Sequence, residues 1–319
     1  MCWPSAEILY PGGFCGLFSN ALILTIKQKI QDYKQLVKFT LSFTVVFSSV
    51  ICYLLHPMVL FQWEPVLWLF LGGMLVTGSA NAINQVAEKD TDAQMKRTAS
   101  RPVAAGRMSI AEASAFATAA GITGVLLMWY WFNWQSALLS AGSLFLYAFI
   151  YTPLKKVNAI SVLIGAIPGA LPCLIGWVAG FSNNGSVNNW LGGWILFGIQ
   201  FFWQFPHFWA IAWISHKDYE KAGFRLLPSV KGQTRYSAMQ AVIYSLLMIP
   251  VGFLPWFFNI SGQISLYIVL LANIFMVVQS FRLYSDMNVA AARRVMFSSY
   301  IYLPVVLLAL LFDKVIPIE

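Results

Sequence analysis

An all-α, polytopic membrane bundle of nine transmembrane helices is the fold class this sequence predicts, and three observations predict it. Of 319 residues, 59% are hydrophobic and only 10% charged, whereas a soluble domain carries about 25% charge. Apolar runs of about 20 residues, long enough to cross a hydrocarbon layer of ~30 Å, recur from end to end. Nearly all of the 20 Lys and Arg residues fall in alternate connections between those runs. Helices are required because a backbone in lipid must satisfy its own N–H and C=O groups.

Residues 1–39 read as an N-terminal cytoplasmic segment and 40–319 as a single intramembrane domain. The opening MCWPSAEILYPGGFCG has no basic region followed by an apolar core, so it is not expected to be a cleaved signal. IKQKIQDYKQLVK, residues 26–38, reads as an amphipathic surface helix or as a solvated basic flank. The expected spans are 40–56, 66–86, 109–130, 136–153, 158–179, 191–214, 236–255, 261–281 and 296–312. Basic residues sit before the first span and in the 87–108, 154–157, 215–235 and 282–295 connections; the alternate set holds only Lys314. The positive-inside rule places the basic set and the N-terminus in the cytoplasm, and an odd span count places the C-terminus opposite, in an inner (plasma) membrane. The net charge of +8 is thus a topology signal and predicts no nucleic-acid partner. Cys2, Cys15, Cys52 and Cys173 are scattered, which speaks against a disulfide framework or a zinc or iron–sulfur site.

Two of the basic connections are long and chemically dense. In NQVAEKDTDAQMKRTASRP, residues 84–102, Asn84, Glu88 and Asp92 recur every four residues. If the second span continues past the membrane, that spacing stacks all three on one face. Like charges four apart weaken a helix, so they need cations: a divalent metal is one source, and Lys89, Lys96, Arg97 and Arg101 are another. Oxygen ligands of this kind suit magnesium held jointly by carboxylates and substrate phosphates. Arg97 and Arg101, also four apart, can grip a diphosphate. The second loop contributes Lys217, Asp218, Glu220, Lys221 and Arg225, and His207 precedes it after Pro206, either as a packed core histidine or facing a cavity. Asn81, Asn84, Asn158 and Gln204 read as inter-helix glue or cavity lining. A magnesium–diphosphate site opening into an apolar bundle suits a substrate half charged and half hydrocarbon, a prenyl diphosphate.

At this point NQVAEKDTDAQMKRTASRPVAAG resembles the first acidic motif of the UbiA-type intramembrane prenyltransferases. Its ending MKRTASRP, with WQFPHFWAIAWISHKDYEKAGFRLLPSVKG and YTPLKKVNAISVLIGAIPGALP, is similar to the haem-farnesylating branch of that family. The resemblance covers about residues 40–312. It implies a helical bundle around a central cavity, farnesyl transfer from farnesyl diphosphate to the 2-vinyl group of protohaem IX (haem B), and Mg2+ as cofactor. Haem B is then a substrate. Asn84, Glu88, Asp92 and Asp218 match the catalytic, metal-binding positions; Arg97, Arg101, Tyr151, Lys155, Lys156, His207, Lys217 and Arg225 match substrate-binding ones. A haem A synthase or oxidase assembly factors are the implied protein partners, beside the lipid bilayer. There are two departures. Glu88 stands where the family's acid series commonly begins with Asp, and Asp218 is followed four residues later by Ala222, so a second D-x-x-x-D is missing. The rival readings are prenylation of a quinone precursor and a transporter; the latter requires acids deep in the spans, and only Glu112 falls within one, near its end.

Overall fold

The computed structural model describes residues 26–181 and 189–316; the opening segment, with Cys2 and Cys15, lies outside them. Among the described residues the protein is helical, with one isolated bridge pairing Ser261 and Lys314. In chain order the helices are α1 (Ile26–Leu36) and α2 (Phe39–Leu55), bent by 50° from one another, then α3 (Trp63–Ala87), α4 (Lys89–Gln94) and α5 (Ile110–Trp131). They continue as α6 (Trp134–Leu154), α7 (Ser161–Ala179), α8 (Leu191–Ile214), α9 (His216–Lys221), α10 (Arg235–Phe257), α11 (Gln263–Asp286) and α12 (Val289–Phe312).

A long helix occupies each expected span. Seven of them are long and apolar enough to cross a membrane, or eight when α1 and α2 are taken as one bent span. The chain is a multi-pass membrane protein. Helix α8 is not among the seven; its run of Gln200, Gln204, Pro206 and His207 dilutes its apolar character.

Helix α7 forms the centre, packed against α2, α6 and α8, while α8 also meets α10 and α12. Small residues set these crossings, as lipid-embedded interfaces require. At Gly176 any Cβ would fall on the Ser49 carbonyl oxygen of α2, so only glycine lets the two backbones touch. Pro172 cannot donate to the Pro168 carbonyl, and Ser143 Oγ of α6 donates to it at 3.3 Å. Polar side chains tie neighbours elsewhere. Gln204 Nε2 donates to the Ala166 carbonyl at 3.0 Å, and Tyr302 O–H to Asn273 Oδ1 at 2.6 Å. Gln204 and Asn273 are therefore glue between helices.

The break between α1 and α2 has a clear cause. Asn81 Nδ2 of α3 donates to the Val37 carbonyl at 3.2 Å, and Gln85 Nε2 donates to the carbonyls of Gln35 and Leu36. These acceptors are the ones a helix leaves open at its C-terminus. Lys38 then turns the chain with a left-handed φ of 47°. Helix α1 is further held by Arg107 on Asp32, at 2.9 Å, and by Lys29 on Glu112, at 2.9 Å, and it presents Ile26 and Ile30 outward. At the opposite end, Lys314 Nζ donates to the carbonyls of Leu54, His56 and Val59 at 2.8, 2.7 and 3.1 Å, closing α12 onto the end of α2. Cys52 and Cys173 are buried free thiols.

Candidate active site

Helix α3 does not run on through the first acidic loop. It stops at Ala87, Glu88 sits at the break with φ −102° and ψ 13°, and α4 restarts at Lys89. The spacing argument survives the break, because the Glu88 carbonyl still accepts from Asp92 N at 2.7 Å. Asn84, Glu88 and Asp92 consequently line one cavity of about 180 Å³. The loop after α4 folds back over Asp92: Thr98 Oγ1 donates to the Asp92 carbonyl at 2.8 Å, and Arg101 returns its guanidinium to the carboxylate.

Tyr147, Tyr151 and Lys155 line the same cavity from α6 and the turn after it. The end of α6 widens into a π-helical turn over Leu146–Tyr151, a feature that recurs at functional sites because it re-aims side chains. Gly165 of α7 leaves room for the Tyr151 ring, which any Cβ there would strike. Ile211 comes from the end of α8, and Tyr219, Phe224 and Leu226 from the second loop. That loop is stitched to the first half of the chain by Arg225 N, which donates to the Lys155 carbonyl at 3.1 Å.

Four cations meet two carboxylates here. Arg101 lies 2.6 Å from Asp92 Oδ2, and Lys155 lies 2.8 Å from Glu88 Oε1. Arg97 donates to the Tyr219 hydroxyl at 2.9 Å, and Lys38 Nζ donates to Asn84 Oδ1 at 3.0 Å. Basic side chains thus outnumber carboxylates in the cluster, which favours an anion. One atom stands apart: Asp92 Oδ1 is buried with no hydrogen-bond partner. A buried carboxylate oxygen left unpaired is costly, and a bound cation removes that cost. Hard oxygen donors from Asn84, Glu88 and Asp92 fit magnesium when substrate oxygens complete the shell.

The structure separates other residues from this group. Asp218 is half-buried at the start of α9 and does not line the cavity. No cluster of three His, Cys, Asp or Glu side chains able to hold a metal occurs among the described residues, so Asp218 does not join Glu88 and Asp92. The reason is register: its neighbour Tyr219 takes the cavity-facing position. Lys156, Lys217 and Arg225 are exposed and outside the lining. Asn158 is likewise exposed and caps its own turn, accepting from Ile160 N at 3.1 Å. His207 also lies outside the lining, although its neighbour Phe208 is in it. Its ring stacks on Trp203, and its Nδ1 is 2.7 Å from Ser299 Oγ of α12. Ser299 gives its own proton to the Met296 carbonyl, so Nδ1–H of His207 is the donor in that pair.

Lys38 is a cavity-lining residue that sequence reasoning missed, as are Tyr147 and Tyr219. It reads as one of four basic residues flanking the first span. Its signal lay in position alone, at the junction where a basic amphipathic segment enters the membrane.

This arrangement can be set beside known proteins. The chain is 42% identical over 287 residues to the protoheme IX farnesyltransferase of Cytophaga hutchinsonii, covering 90% of this chain and 99% of that protein. It is 40% identical to the protoheme IX farnesyltransferase of Flavobacterium psychrophilum, covering 91% and 96%. Among solved structures, a digeranylgeranylglyceryl phosphate synthase superposes with a TM-score of 0.74 at 21% identity, covering 90% of this chain and 98% of that one. A UbiA homolog from Archaeoglobus fulgidus bound to GPP and Mg2+ gives 0.62 at 15% identity, covering 88% and 99%. The description of the UbiA prenyltransferase family matches residues 45–302, a range that runs from within α2 to within α12 and takes in both loops of the cavity. A bundle, a cavity and relatives that agree over nine-tenths of the chain leave one conclusion: this protein belongs to the UbiA prenyltransferase family.

Proposed function

We propose that this protein transfers the farnesyl group of farnesyl diphosphate to the 2-vinyl group of protohaem IX, giving haem O and diphosphate, with magnesium as cofactor. The observation that carries the reading is the cavity itself, where Asn84, Glu88 and Asp92 face Lys38, Arg97, Arg101 and Lys155. The relatives named protoheme IX farnesyltransferase support the choice of porphyrin over a quinone precursor.

Asn84, Glu88 and Asp92 would hold magnesium, which supplies Lewis-acid neutralisation of the leaving diphosphate when bound. Lys38, Arg97, Arg101 and Lys155 bind the diphosphate oxygens and hold the C1–O bond at the mouth of the apolar end, formed by Met95, Val162, Phe208, Ile211, Phe224 and Leu226. Heterolysis of that bond leaves both electrons on the diphosphate and an allylic cation on the chain. The vinyl π pair forms the new C–C bond, and water then adds at the adjacent carbon and loses a proton, giving a hydroxyethylfarnesyl substituent. The walls of Tyr147, Tyr151 and Phe208 exclude bulk water until the porphyrin has reacted.

Lys155 and Arg101 now neutralise Glu88 and Asp92, and each changes partner from carboxylate to diphosphate as the substrate enters. The basic connections belong to the cytoplasmic face of an inner membrane, with the C-terminus opposite, nine spans in all. The porphyrin approaches through the wall of α8 and α12, where His207 stands, in the company of a haem A synthase or oxidase assembly factors.

The test is a reconstituted assay with farnesyl diphosphate, haem B and Mg2+, read by mass spectrometry. Haem O is the expected product, and Asp92→Ala yields none while still inserting and folding. Full haem O output from Asp92→Ala would rule out the site assignment.

A further inference from the structure

The two long loops share one backbone plan. Helix α3 breaks at Glu88 (φ −102°, ψ 13°) and restarts as the six-residue α4; α8 breaks at Ser215 (φ −97°, ψ 15°) and restarts as the six-residue α9. Counted from each break, Ile211 answers Asn84 and Tyr219 answers Asp92, four positions before and four after. The cavity supports this register independently, because all four of those residues line it. Asp218 answers Thr91, and neither is in the lining. The off-axis place of the second-loop acid thus follows from helix phase and is no accident of side-chain rotamer.

The plan is shared and the chemistry is not. Where the first loop offers Asn84, Glu88 and Asp92, the second offers Ile211, Ser215 and Tyr219, with no carboxylate among them. A guanidinium stands there instead. Arg97 donates to the Tyr219 hydroxyl at 2.9 Å and lies with Cζ 5.5 Å from the Tyr219 ring centroid. Among the described residues no carboxylate forms an ion pair with Arg97. A guanidinium is charged at every accessible pH and presents a planar fork that fits phosphate oxygens in pairs. Held by the hydroxyl and the ring of a single tyrosine, it needs no acid to stay in place.

We infer that the second loop is a metal-free counterpart of the first, in which Tyr219 sets Arg97 as the fixed cation for one side of the diphosphate, so that the site takes its substrate with a single divalent ion. The inference rests on the prenyl-diphosphate reading above and adds a stoichiometry to it. Tyr219 is a positioning residue in this scheme, acting through Arg97, and Asp218 is not a metal ligand.

The experiment uses the purified full chain in detergent with inorganic diphosphate, Mn2+ in place of Mg2+, and electron paramagnetic resonance. The expected spectrum is that of one protein-bound, uncoupled Mn2+ per chain. It persists in Asp218→Asn at unchanged Mn2+ affinity. In Tyr219→Phe the single-ion spectrum also persists, while diphosphate affinity falls about tenfold as the hydroxyl anchor of Arg97 is lost. An exchange-coupled Mn2+ pair in the wild-type protein overturns the inference alone. So does loss of the bound ion in Asp218→Asn, or full diphosphate affinity in Tyr219→Phe. A wild-type protein that binds no Mn2+–diphosphate overturns the prenyl-diphosphate reading and this inference together.

Discussion

Lys155 Nζ lies 2.8 Å from Glu88 Oε1, a pair drawn from positions 67 residues apart and almost closed to water, with 10% and 7% of the two side chains exposed. Glu88, the longer acid at the start of the series, uses its extra methylene to meet that ammonium from the end of α3. Removing one partner of a buried pair strands the other charge, at a cost of about 3–5 kcal/mol. Lys155→Met is therefore expected to lower the unfolding temperature in detergent when metal and diphosphate are absent. Adding Glu88→Gln to it recovers much of the loss. A thermal-melt series of wild type, single and double variants checks this, and a double variant less stable than the single one contradicts it.

Lys38 gives the second prediction. Its ammonium has only a neutral acceptor, Asn84, at 3.0 Å, so it is free to transfer to an anion. One hydrogen bond to a charged group is worth about 1.5–3 kcal/mol. Lys38→Met should thus weaken Mg2+–diphosphate binding about ten- to a hundredfold, and Lys38→Arg should restore part of it. Isothermal titration against inorganic diphosphate reads the result directly.

His207 carries its proton on Nδ1, toward Ser299, leaving Nε2 with a free lone pair. An imidazole in that tautomer is a ligand for iron. The haem-bound protein is expected to show an axial histidine signal in its optical and resonance Raman spectra. That signal disappears in His207→Ala, and an unchanged spectrum removes His207 from the porphyrin site.

A fourth prediction concerns pH at the far end. His56, just past α2, is packed by Trp177 and Phe181. Burial, and then the Lys314 charge, pull its imidazole from 6.5 down to about 4. Between those values the unfolded chain binds a proton that the folded protein refuses, so stability is lost as pH falls through that window and is unaffected above it. Melting temperature should drop from pH 6.5 toward pH 4, less steeply in His56→Phe. Because Nδ1 has no partner, phenylalanine forfeits no hydrogen bond there.

The spans were legible because lipid imposes one pattern on every crossing helix, and the first loop because its spacing of four outlives the break at Glu88. That break was not legible, since no glycine or proline marks it. Lys38 was hidden for another reason: a lysine beside a span always has topology as a sufficient explanation, and only the Asn81 and Gln85 contacts reveal that the chain turns it inward. Asp218 read as a ligand because its residue type matched, while the one-residue phase that turns it away depends on where α8 breaks. His207 faced the same problem of phase: Phe208, one position on, takes the cavity side of α8. Tyr219 and Arg97 come from loops far apart in sequence, and no local pattern could pair them.

Lys314 grips three carbonyls at and just past the end of α2, and this bears on how a flat, rigid porphyrin could pass between helices. The clasp joins the last helix to the first crossing helix at the end remote from the cavity. If α12 swings away from α8 to admit the porphyrin, it swings like the arm of a clothes-peg, pinned at the far end by Lys314 and opening at the end where the reaction occurs. Such a movement would widen the wall where a bulky substrate needs it and leave the clasped rim closed.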